Sequence, residues 1–127
     1  MEAVVLAGIA RRVLDDLLKS PYRTVELRSA RNIYAVERAE KEGKWVFLAY
    51  EPFSDVRSGT EGLIAELLKR EVMETRVPWE ESDEREVTVC RVQLHLLGLG
   101  RIVEVTERNA LMMAKVRRMM THEMAMG

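Results

Sequence analysis

The stretch VTVCRVQLHLLGLGRIVEV, Val87 to Val105, constrains the fold more than any other part of the chain. It is dense in β-branched and apolar residues, which suit a pleated surface, and it predicts a long strand, a turn at Gly98-Leu99-Gly100 and a return strand. Along its first arm the even positions Cys90, Val92, Leu94 and Leu96 are apolar, and the odd positions Arg91, Gln93 and His95 are polar. Upstream, Val87 and Val89 reverse that sense, so a bulge or a sheet corner is expected near Cys90. The GLGR segment is not a phosphate loop, because its glycines lead into the strand IVEV and not into a helix N-terminus.

The remaining segments fit a mixed domain. EAVVLAGI predicts a buried first strand. From Ala10 onward Val13, Leu14, Leu17 and Leu18 recur at helical spacing, and Ser20-Pro21 ends that helix. RTVELRS is a second strand. The segment ARNIYAVERAEKEGK reads as a short helix or an irregular crossing, and KWVFLAYEP as a strand stopped by Pro52. FSDVRSGTEG is loop by composition, and PWEESDERE an acidic loop. Residues 61–72 divide the evidence: the local pattern of Leu63, Ile64, Leu67 and Leu68 after Thr60 is helical, yet Gly62 sits where a helix would disfavour it. Thr106 is expected to cap a last helix, ERNALMMAKVRRMM, followed by a frayed tail.

The chain has 127 residues and 47% hydrophobic content, enough for a single core without disulfides or metals. The whole of 1–127 is read as one domain, with a body over 1–105 and a Met-rich C-terminal helix and tail over 106–127. Twenty basic against 21 acidic residues exclude a protein that coats nucleic acid by bulk charge. Arginine outnumbers lysine 15 to 5 and favours bidentate contacts to phosphate or carboxylate. A single cysteine, Cys90, permits no internal disulfide, so a reducing, cytoplasmic location is expected, with no membrane span. His95 and His122 with one cysteine supply no plausible zinc set, and neither metal nor cofactor is expected. Six of the eight methionines lie between Met112 and Met126. Such an adaptable surface can cover the protein's own core or form a homodimer through the C-terminal helix.

The candidate site is in SPYRTVELRSARN. Alternate residues Thr24, Glu26 and Arg28 line one side of the second strand, as either a solvated face or the wall of a site. In the functional reading Arg28 and Arg23 bind a phosphate or ribose edge, Glu26 accepts hydrogen bonds from a base amino group, and Arg31 and Asn32 extend the surface. Tyr34, Trp45 or Tyr50 could supply a stacking face or belong to the core.

LLKSPYRTVELR resembles the ASCH pattern of a helix, a basic residue, a threonine and Glu-x-Arg on the second strand, and EGKWVFL resembles the element that follows it. The chain is also similar, through RTVELRSARN, GTEGLIAE and GLGR, to a small family of uncharacterised archaeal proteins. The first resemblance implies an α+β fold, a PUA/ASCH-like small β-barrel with an N-terminal helix between strands 1 and 2 and a C-terminal helix. In that frame residues 61–72 become a strand. It implies a binding module for RNA, a nucleotide or a similar anionic small ligand in a cleft beside strand 2. An enzyme acting on a modified nucleoside, amidohydrolase-like with Glu26 as acid or base, is the alternative. A subunit that docks a partner through the C-terminal helix is a further one. Relatives that hydrolyse acylated cytidines use a lysine and a threonine where this chain has Arg23 and Glu26. Arginine holds its proton too firmly to act as a base, so that apparatus is not carried over.

Overall fold

The computed structural model describes residues 1–79 and 83–119, and the side chains of all these except 75–79 and 83–87. Among the described residues six strands and two α-helices follow in the order β1 (Glu2–Leu6), α1 (Arg11–Lys19), β2 (Tyr22–Leu27), α2 (Ala30–Lys41), β3 (Trp45–Leu48), β4 (Glu61–Trp79), β5 (Asp83–Arg108) and β6 (Leu111–Arg118). They form one mixed sheet in the order β2-β5-β4-β3-β1-β6. The β1–β3 pair is parallel, and the others are antiparallel. β5 also pairs with β6, so the sheet folds back on itself. Among the described residues no helix is long and apolar enough to cross a membrane.

Both faces of the central strands are buried, which explains the uninterrupted apolar runs in β1 and β3. Val4 and Leu6 of β1 join Val46 and Leu48 of β3 in a core that also takes Leu14 and Leu17 of α1 and Ala35, Val36 and Ala39 of α2. Ala3 and Val5 point the other way, into a second cluster with Phe47, Ile64, Ile102, Met112, Ala114 and Val116. Each large aliphatic or aromatic side chain buried this way contributes about 2 kcal/mol. Ser29 caps α2 by accepting a hydrogen bond from the Asn32 amide at 3.2 Å. Arg70 of β4 then ties the helix to the sheet, 2.9 Å from Glu40 and 3.6 Å from Glu37. That bond and charge hold the Glu40 carboxyl below the usual carboxylate range. Cys90 is fully buried in the first cluster, and burial pushes its thiol up, the state of an inert structural cysteine.

Three expectations are corrected. The fold is this six-stranded mixed sheet with two helices, not a PUA/ASCH-like small β-barrel with a C-terminal helix. Residues 111–118 form a strand: Asn109 and Ala110 both adopt left-handed backbone, φ 52° and 64°, and turn β5 directly into β6. Met112, Ala114 and Val116 then alternate into the second cluster, a period of two that the helical stripe of Leu111, Met112, Val116 and Met119 had obscured. Among the described residues, 106–119 contain no helix through which a partner could dock, and the expected tail lies outside the described residues.

The glycines of GLGR are also not a turn. Gly98 and Gly100 lie within β5, opposite Ile64 and Gly62 of β4. A Cβ on Gly100 would come within 2.6 Å of the Ile64 side chain, and one on Gly62 would collide with the Leu48 carbonyl and the Phe47 ring. Glycine is needed at both positions because two strands and the second core meet there. In β4 the helical pattern of residues 61–72 yields to strand pairing on both sides, with β3 and β5.

Candidate functional site

β2 lies at the edge of the sheet, bonded to β5 on one side only. Val25 and Leu27 are buried in the first core, and Tyr22, Arg23, Thr24, Glu26 and Arg28 are exposed. The alternation expected of RTVELR is therefore present. Along this edge, between β2 and α1, runs a cavity of about 440 Å³ lined by Arg12, Asp16, Arg23, Thr24, Glu26 and Arg28, with Val13 and Val25 beneath. Arg23 pairs with Asp16 at 3.2 Å, and Arg28 approaches Glu26 at only 3.9 Å, its side chain 70% exposed against 46% for Glu26. Exposed pairs of this kind are weak, so an incoming anion can compete for both guanidinium groups. Three arginines face two carboxylates, which leaves the groove cationic.

The sequence neighbours Arg31 and Asn32 go elsewhere. α2 begins between Arg28 and them and carries both away from the groove. Arg31 pairs with Glu107 and lies over the Phe53 ring, 3.9 Å from its centroid, beside a separate cavity of about 450 Å³. Asn32 is 5% exposed and spans the backbone of Ala7: its Oδ1 accepts from the Ala7 amide at 3.1 Å, and its Nδ2 donates to the Ala7 carbonyl at 2.9 Å. It acts as a clasp for the end of β1. Tyr34 lines a further hollow with Arg38 and Arg108, Trp45 packs against the second core, and Tyr50 lies under Arg11 at 4.5 Å.

The second polar row, Arg91, Gln93 and His95, is the cross-strand partner of the first: Glu26 opposes Arg91, Thr24 opposes Gln93 and Tyr22 opposes His95. The two rows singled out in the sequence thus share one face. Arg12 and Asp16 were missed, although their i,i+4 spacing on the polar side of α1 places them together. The stacked rings of Tyr22 and His95, 4.3 Å between centroids and 4° between planes, were also missed. Only the strand register joins them. A larger hollow of about 680 Å³ lies around Glu51, Asp55, Arg57 and Glu61, and its acidic lining suits an anion poorly. Among the described residues, no three His, Cys, Asp or Glu groups are placed to hold a metal ion.

Residues 1–116 match the family described as "Protein of unknown function (DUF473)". The chain belongs to that family. An uncharacterised protein of the archaeon Methanocaldococcus jannaschii is 29% identical over 104 residues, which cover 82% of this chain and 66% of that relative. The chain thus spans just under two thirds of the relative's length. The N-terminal domain of the Mycobacterium avium complex Lon protease has a similar fold, with a TM-score of 0.58 at 14% identity over 94% of this chain and 55% of that one. At that identity the likeness is of fold alone. The family and its archaeal relative agree with the second of the two resemblances read from RTVELRSARN and GTEGLIAE.

Proposed function

We propose that this DUF473 chain is a cytoplasmic binding module that holds a nucleotide, free or within a short RNA, in the groove between α1 and β2. The observation that carries the reading is the cavity of about 440 Å³ with Arg12, Arg23 and Arg28 on its wall, a volume in the range of small-ligand sites. Arg28 and Arg23 take the phosphate, Thr24 offers a hydroxyl, and Glu26 accepts from a base or ribose donor. Near-neutral total charge confines the attraction to this groove, which suits a small ligand better than a long duplex. The groove is open and Glu26 faces Arg28, so the arrangement favours binding over proton transfer by an enclosed acid. A buried lone Cys90 agrees with a reducing compartment.

The test is a thermal-shift and titration series with nucleoside monophosphates, nucleoside diphosphates and short single-stranded RNAs at two salt concentrations. The wild type is expected to be stabilised by at least one of them, by about 2.7 kcal/mol at a hundredfold excess over Kd. Arg23→Ala and Arg28→Ala should lose that gain, and higher salt should weaken it. A wild type that responds to none of these ligands removes the reading.

A further inference from the structure

We infer that Tyr22 is the platform on which the ligand's aromatic base stacks, so that the groove selects a base joined to a phosphate over a bare sugar phosphate. The inference rests on the anion-binding reading of the groove and adds a specificity residue to it. Tyr22 is 64% exposed, although its ring lies flat against His95. His95 covers the face turned toward β5, because the two residues are cross-strand partners. Among the described residues no strand lies on the other side of β2, so the second face of the Tyr22 ring looks out over the free edge. The wall of the arginine-lined groove starts on that same edge at Arg23, the residue after Tyr22, and Tyr22 itself is not part of that wall.

A base placed there would be the third ring in a stack that begins with His95 and Tyr22. Every nucleobase has a π-face, so this contact sorts bases from non-aromatic groups without choosing among bases. Tyr22 and Thr24 are two residues apart on one strand, about 7 Å. A single nucleotide can therefore set its base on Tyr22 and its phosphate against Arg23 and Thr24. His95 holds the tyrosine ring in place before the ligand arrives, which limits the ordering cost of binding.

The experiment compares adenosine 5′-monophosphate with ribose 5-phosphate, which carries the same phosphate and no base, by calorimetric titration. On the wild type the adenosine monophosphate is expected to bind about tenfold more tightly. Tyr22→Ala should abolish that preference and leave ribose 5-phosphate binding unchanged, whereas Tyr22→Phe should keep it. Arg28→Ala should weaken both ligands alike. Equal binding of the two ligands to the wild type, or a preference that survives Tyr22→Ala, overturns the role of Tyr22 and leaves the groove reading standing. Failure of both ligands to bind the wild type overturns the role of Tyr22, and the groove reading falls with it when the nucleoside diphosphates and short RNAs also fail to bind.

Discussion

β1 and β2 are short strands of similar length within the first 27 residues, yet they occupy opposite situations. β1 has a neighbour on each side, β3 and β6, and its residues Ala3 to Leu6 are buried on both faces. β2 has one neighbour, and only Val25 and Leu27 are covered. The apolar run EAVVL is what a doubly buried strand needs, and the charge-studded YRTVEL is what a free edge needs to stay soluble. Stability is therefore concentrated around β1, where a substitution has no room. β2 keeps charged groups and an open backbone edge that a ligand can meet, at little cost to the fold.

That contrast can be broken at the β1 side. Asn32→Ala leaves the buried Ala7 amide and carbonyl without partners, and a loss of about 3 kcal/mol is expected from urea denaturation. A loss under about 0.5 kcal/mol, the range of ordinary surface changes, would show that the clasp is idle. Gly62→Ala, which drives a methyl group into the Leu48 carbonyl and the Phe47 ring, should cost about 2 kcal/mol by the same measurement. A neutral result there would mean that β3 and β4 can separate without penalty.

A stabilising change sharpens the comparison. Ala110 sits at φ 64° in the turn that sends β6 alongside β1, and Ala110→Gly converts the pair to the Asn-Gly favoured in two-residue hairpins. A gain of about 1 kcal/mol is expected, read as a raised thermal midpoint. The smallest effect belongs to β2, where Glu26→Ala breaks only an exposed 3.9 Å pair and should shift stability by less than about 0.5 kcal/mol. A large loss at Glu26 would show that the edge strand carries structural weight and would weaken its reading as a site.

The parts of the fold legible in the sequence are those with one consistent pattern. α1 shows its stripe and its proline stop, β3 its aromatic and β-branched run, and β2 its alternation. β4 and β6 were ambiguous or misread for a physical reason. LIAELLKRE and LMMAKVRR are mostly good helix formers, with only Ile64 and Val116 β-branched, and their apolar positions satisfy both a 3.6-residue and a two-residue period. The site divided in the same way: Thr24, Glu26 and Arg28 are neighbours on one strand and could be read from it. Arg12, Asp16 and His95 come from α1 and β5, so only packing brings them to the same edge.

By itself the sequence determined where strands alternate, where α1 stops and which charges remain at the surface, because those properties depend on residues close along the chain. The tertiary structure alone decided that 61–79 and 111–118 extend as strands, that Gly62 and Gly100 meet, and that Tyr22 stacks on His95. Each of those outcomes depends on partners distant in sequence, whose burial outweighs the fraction of a kilocalorie per residue by which local propensity favours a helix.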